Sequence, residues 1–301
     1  MLDKIKGGLF GVAIGDALGG TTEFMTEEEI KKEYGCLTEM LGGGVWNLAP
    51  GEVTDDTAMT IAVCKGIISN PIDPISEIGN EFLHWYDTKP KDIGNTIREV
   101  LRQYNGDWFQ TSKNVNIQLN GMSAGNGTLM RTLPVALSYP SLPKIDEITN
   151  LQSKMTHYDD ETSSICQLYN KIAFQLLNQY PLKDAIETVI RDTKFFTIFK
   201  KKPSVPSDGY VVNTFYWVLY YLYHLDDFRE IAIAAANNGG DSDTIAAIAC
   251  GLKGVEIGYE RLPDDYKHKI ILKEELSQLS MQLHLIREHF RKSKIKEDKY
   301  E

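Results

Sequence analysis

Apolar positions recur at three- and four-residue spacing along most of the chain, the period of a helix with one buried face. Ala58, Ile61, Ala62, Ile67 and Ile68 keep this spacing after one acidic run, and Ile245, Ile248, Ala249, Leu252 and Val255 keep it after another. The same period predicts helices over 159–178, 183–192, 211–224, 227–237 and 273–292, the last carrying Leu276, Leu279, Leu283 and Ile286. A further helix is expected to end at Gly19-Gly20, leaving Glu23 on a loop. Strand signals are few and short. The pattern therefore predicts an all-α fold, a compact single multi-helix domain over residues 1–290, with a charged tail at 291–301 that frays. Glycine and proline mark loops at Gly42–Gly44, Gly121–Gly127 and Pro203–Gly209. The aromatic run from Phe215 to Tyr223 reads as core packing rather than as a base-stacking box.

Composition narrows the partners. The net charge of −10 over 301 residues argues against nucleic acid as a main partner. It leaves room for a small anionic ligand gripped locally by backbone amides and cations. No stretch approaches the ~20 apolar residues of a membrane span. The run Gly7 to Ile14 after Lys4 and Lys6 is short, glycine-rich and followed by Asp16, so it is read as part of the mature chain rather than a secretory leader. Cys36, Cys64, Cys166 and Cys250 form no CxxC pair; Cys64 and Cys250 fall in apolar stretches, as expected of a protein of the reducing cytoplasm.

Two acidic clusters carry the chemistry. Thr54-Asp55-Asp56-Thr57 and Asp241-Ser242-Asp243-Thr244 each place two carboxylates and hydroxyls at the start of an apolar helical stretch. An N-cap needs only one such side chain. Two adjacent carboxylates repel each other unless a cation sits between them. Oxygen donors in this number suit Mg²⁺, Mn²⁺ or Ca²⁺ rather than zinc, and a fold that joins the clusters makes a binuclear centre. The distal Glu and further ligands of a calcium loop are absent. A third element, Gly125-Asn126-Gly127-Thr128, is expected to open a helix and offer free N–H groups to phosphate; it lacks a Walker lysine, so triphosphate hydrolysis is unsupported.

Taken together, five segments resemble the ADP-ribosylglycohydrolase family, which includes the dinitrogenase-reductase-activating glycohydrolases. They are Gly15-Asp16-Ala17-Leu18-Gly19 with Glu23-Phe24, the Thr54 cluster, Gly125-Asn126-Gly127 with Met130-Arg131, Thr156-His157, and Gly240 with the Asp241 cluster. They occur in the family's order over residues 7 to about 260, and their ordered combination is far more specific than any one of them. The resemblance implies two Mg²⁺ or Mn²⁺ ions in a central cleft. By matching position, Thr54, Asp55 and Asp56 would hold one ion, Asp241 and Thr244 the other, and Asp243 would bridge them. Glu23 matches a glutamate near the metals and the attacked sugar. Asn126, Gly127 and their neighbours, including Met130, would hold the diphosphate or distal ribose, and His157 and Tyr210 would line the ADP-ribose pocket.

His84-Trp85-Tyr86 and Asp92-Ile93-Gly94-Asn95-Thr96 resemble the arginine-specific bacterial branch, where the aspartate lies near the modified arginine. The segment Asp87–Lys91 is shorter than that branch's loop and lacks its Gly-Arg-Cys-Phe element. The expected activity is hydrolysis of ADP-ribose from a modified protein, with ADP-ribosyl-arginine as the leading linkage. The alternatives are an O-linked substrate such as ADP-ribosyl-serine or O-acyl-ADP-ribose, a catalytically silent ADP-ribose-binding member, and a metal phosphohydrolase.

Overall fold

The computed structural model describes residues 1–297. The chain forms α1 (Leu2–Gly19), α2 (Glu27–Tyr34), α3 (Asp55–Ser69), α4 (Ile75–Asp87) and α5 (Asn95–Gln103). These are followed by α6 (Trp108–Gln118), α7 (Leu133–Ser138), α8 (Leu142–Lys154), α9 (Asp160–Leu177) and α10 (Leu182–Ile190). The last third contributes α11 (Val211–His224), α12 (Phe228–Ala236), α13 (Ser242–Ile257), α14 (Asp264–Lys269) and α15 (Lys273–Glu297). Among the described residues, bridging between extended segments is limited to the isolated pairs Gly43–Leu48 and Gly125–Tyr210.

The expected all-α architecture is the observed one, and the predicted helices over 159–178, 183–192, 211–224, 227–237 and 273–292 appear as α9, α10, α11, α12 and α15. The helix α15 runs to Glu297, and residues 298–301 of the expected frayed tail lie outside the described residues.

The centre of the molecule is an antiparallel pair, α1 against α13, with α12, α11, α9, α3 and α15 packed around it. Both central helices are buried on nearly every side, which is why neither shows the one-sided apolar stripe of a surface helix. Close approach is set by glycines four residues apart on one face of α1. A Cβ at Gly7 would lie 2.3 Å from Gly254 O, at Gly11 2.2 Å from Cys250 O, at Gly15 2.2 Å from Ala246 O and at Gly19 2.4 Å from Asp243 Cα. Backbone thus packs on backbone along the whole pair. The stripe ends where α1 meets the first turn of α13, so it delivers Asp243 to the C-terminal end of α1. The start of α3 is tied to the same place by Asp16 of α1.

A single 3₁₀ turn spans Asn126–Thr128, where a helix start was expected. Asn126 N donates to Gly209 O at 2.9 Å and Val211 N to Ala124 O at 3.0 Å. This pairing holds the segment extended up to Gly125 and leaves space for only one tight turn before α7. Among the described residues, no helix is long and apolar enough to cross a membrane.

Candidate active-site cleft

Four helices of this protein start in the ordinary way. Thr26, Asp107, Asp159 and Asp227 each accept a hydrogen bond from a backbone N–H of the first turn that follows. Thr54 and Asp241 stand at the same position of α3 and α13 and make no side-chain cap bond. Their side chains point elsewhere. Thr54 Oγ1 donates to Asp16 Oδ1 at 2.9 Å and also lies 3.3 Å from Asp243 Oδ2 and 3.4 Å from Asp56 Oδ2. Thr244 Oγ1 donates to Asp56 Oδ2 at 3.1 Å. The two acidic clusters, separated by 189 positions in the chain, therefore meet in space.

Asp16 makes this meeting possible. It is fully buried and accepts from the backbone N–H groups of Thr54 and Thr57 and from both their hydroxyls. One carboxylate of α1 thereby fixes the N-terminus of α3. The sequence motif contained Asp16 but gave it no role; an aspartate one turn before Gly19-Gly20 was the available signal.

The remaining acidic groups surround this core. Asp55 Oδ2 accepts from Gly94 N at 3.0 Å, and Asp241 Oδ2 accepts from Asn126 Nδ2 at 2.5 Å. Glu23 accepts from Trp46 Nε1. Carboxylate oxygens of Glu23, Asp92 and Asp243 lie within 4.8 Å of one another. Burial is the main reason that every one of these acids sits above its ordinary range, with the neighbouring carboxylates adding to it at most of them. Glu23 is pushed up to about 8, Asp92 to about 9 and Asp55 to about 6, and Asp56 and Asp243 rise well above their usual values. Asp56 Oδ1 is buried without a hydrogen-bond partner.

These observations fit divalent cations. Seven carboxyl groups, Asp16, Glu23, Asp55, Asp56, Asp92, Asp241 and Asp243, share one small volume without an ion-pairing Lys or Arg among the described residues. Hard oxygen donors, hydroxyls beside them and one orphaned carboxylate oxygen make a set that Mg²⁺, Mn²⁺ or Ca²⁺ would complete.

Above this floor opens a cleft of about 510 Å³. Glu23, Asp55, Asp92, Asn126, Gly127, Met130, His157, Asp241, Asp243 and Thr244 line it, whereas Thr54 and Asp56 lie beneath. His157 is buried and flanked by glycines; a Cβ at Gly125 would lie 3.0 Å from its Nε2. Its other ring nitrogen, Nδ1, is 2.9 Å from Thr156 Oγ1, which accepts from Arg131 Nη2 at 2.8 Å. Arg131 only donates, so the proton of Thr156 stays free to be given to Nδ1. With Thr156 donating to Nδ1, His157 carries its own proton on Nε2, beside the cleft. Burial, reinforced by Arg131, holds the imidazole down to about 3, so it is neutral.

Tyr210 is the expected site residue that the structure sets apart. The bridge between Gly125 and Tyr210 turns Gly209 toward the cleft and leaves the Tyr210 ring 40% exposed, with its hydroxyl on Glu161 Oε2 at 2.7 Å. It is not among the lining residues. Conversely, Phe24, Trp46, Arg98, Ser207, Asp208 and Gly209 line the cleft and had no assigned role. Trp46, a tryptophan two positions after three loop glycines, was the clearest missed signal.

The same arrangement has relatives. The family model for ADP-ribosylglycohydrolase matches residues 1–292. The ADP-ribosyl-[dinitrogen reductase] glycohydrolase of Rhodospirillum rubrum is 33% identical over 91% of this chain and 92% of its own. An ADP-ribosylarginine hydrolase of Serratia proteamaculans is 30% identical over 94% of this chain and 79% of its own. A solved ADP-ribosylglycohydrolase-related protein complex superposes with a TM-score of 0.82 at 27% identity, covering 95% of this chain and 98% of that one. With the paired acidic clusters joined under one cleft and a match along nearly the whole length, the chain belongs to the ADP-ribosylglycohydrolase family, a family of hydrolases.

Proposed function

We propose that this protein removes ADP-ribose from an arginine side chain of a modified protein, by metal-dependent hydrolysis of the N-glycosidic bond. The observation that carries this is the meeting of the Thr54 and Asp241 clusters beneath a cleft that also holds Asp92 and His157. The names of the similar glycohydrolase and arginine hydrolase support the linkage.

Thr54, Asp55, Asp56, Asp241, Asp243 and Thr244 would hold two Mg²⁺ or Mn²⁺ ions. Such ions, when bound, supply the positive charge that lets the buried carboxylates ionise, and Lewis acidity beside the ribose. Glu23, oriented by Trp46, accepts the proton of the attacking water. The water oxygen bonds to the anomeric carbon as the bond to the guanidino nitrogen breaks, through an oxocarbenium-like state. Asp92 meets the departing guanidino group. Asn126, Gly127, Met130 and the Nε2–H of His157 position the distal ribose and diphosphate. Tyr210 is left out of this set, because its hydroxyl is engaged by Glu161. The four free cysteines, three of them buried, support action in the reducing cytoplasm.

The linkage is tested by offering one protein ADP-ribosylated on arginine and one on serine under the same conditions. Faster turnover of the arginine-linked substrate is expected. Turnover of the serine-linked substrate alone would reassign the protein to O-linked ADP-ribose.

A further inference from the structure

Phe24 stands at the cleft with a ring that is 63% exposed and a backbone at φ 63°. Side chains other than glycine enter that region only with strain. The surroundings enforce it. Phe24 N donates to Gly240 O at 2.7 Å, and Gly240 N donates to Met25 O at 2.8 Å. Gly239 packs so closely that a Cβ there would lie 2.3 Å from Met25 O. Strain that is over-determined by its neighbours beside a cleft is a mark of function rather than of folding.

The Phe24 ring meets Trp46 edge-on, with centroids 6.2 Å apart. Trp46 is fixed in turn by its bond to Glu23 and by the loop that carries it. That loop presses on the end of α1 at Gly44, where a Cβ would lie 2.5 Å from Gly20 O. The aromatic pair adjoins Glu23 and, through it, Asp92, whereas Asn126 adjoins Asp241 and Gly125 and Gly127 adjoin His157. Val45 and Leu41, 57% and 51% exposed on the Trp46 loop, extend the apolar rim outward.

A planar cation is the group that aromatic rings and carboxylates recognise together, and guanidinium fits both. We propose that Phe24 and Trp46 form an acceptor subsite that packs against the guanidinium of the modified arginine and selects it over a hydroxyl-linked residue. This rests on the arginine linkage proposed above. The amides and imidazole around Asn126 and His157 are left for ADP-ribose.

The discriminating variant is Phe24→Gly, which removes the ring and relieves the backbone strain, so that loss of folding does not account for loss of function. On arginine-ADP-ribosylated protein, kcat/KM is expected to fall about tenfold, mainly through KM. The Kd for free ADP-ribose, measured by calorimetry, is expected to stay within about twofold, and Phe24→Tyr is expected to restore kcat/KM. An unchanged kcat/KM would overturn the subsite. So would an equal loss of ADP-ribose affinity, which would move the ring to the nucleotide end. If the native protein hydrolyses only serine-linked substrate, the linkage reading has failed, and the subsite is tested directly with arginine methyl ester in the presence of ADP-ribose, followed by NMR. Binding that disappears in Phe24→Gly would sustain it, and binding that is absent or indifferent to Phe24 would overturn it.

Discussion

Arg131 acts at the scale of single atoms. It is buried, stacks over Phe82 at 4.4 Å, bonds Gln152, and passes its influence through Thr156 to His157. Nitrogen-15 NMR of the histidine ring should find the Nε2–H tautomer of His157 across the neutral range; an Nδ1–H form would contradict the hydrogen-bond chain. Thr156→Val should weaken ADP-ribose binding about five- to tenfold, the worth of one oriented hydrogen bond. Asp16 works in the same indirect way on the acidic clusters. Asp16→Asn should cost about 10- to 100-fold in metal affinity while the protein stays folded, as measured by metal titration. Neither residue's part was legible in the sequence. Asp16 and Arg131 sit inside recognisable motifs, but a motif states which residues recur, not which of them touch one another. Tyr210 matched by position, and the backbone pairing of Gly125 with its own segment leaves its ring exposed and outside the cleft lining.

Among elements, the long periodic helices were readable because one face of each is buried. The helix α11 begins and ends where the period placed it, and α9 and α15 start within one residue of their expected positions. Proline hid two others. Both α7 and α8 carry proline in their first turn, which reads as loop chemistry in sequence and is tolerated at a helix start. The central α1 was read only at its end, Gly19-Gly20, where the helix does stop. Its glycines at positions 7, 11, 15 and 19 had no assigned role, and they form the contact stripe against α13. Alanine would favour an isolated helix by about 1 kcal/mol at such a position. In this protein Gly15→Ala should instead destabilise by about 1–3 kcal/mol or more, because its Cβ would meet Ala246 O. Urea denaturation measures this directly, and a stabilised variant would refute backbone-on-backbone packing of α1 and α13.

For the whole molecule, the concentration of acid in one place links stability to pH and to metal. In the metal-free protein Glu23 sits near about 8 and Asp92 near about 9, both above the values of an unfolded chain. Over that interval the folded protein binds more protons than the unfolded one, so its stability falls as pH rises from about 3.8 toward about 9. Melting of chelator-treated protein should show this decline. Added Mg²⁺ or Mn²⁺ should raise the melting temperature by an amount that grows with pH over the same interval, since the ions replace the protons. A melting temperature of the metal-free protein that rises with pH would contradict the cluster.

The proposed role of the two joined acidic clusters, one metal centre for hydrolysis, is tested by the products of a single reaction. Protein ADP-ribosylated on arginine is incubated with this enzyme in Mg²⁺ or in EDTA, and the products are identified by mass spectrometry. Release of intact ADP-ribose with Mg²⁺, abolished by EDTA and by Asp243→Ala in a protein that remains folded, is the predicted result. Release that persists in EDTA, or in folded Asp243→Ala with Mg²⁺ present, would contradict it.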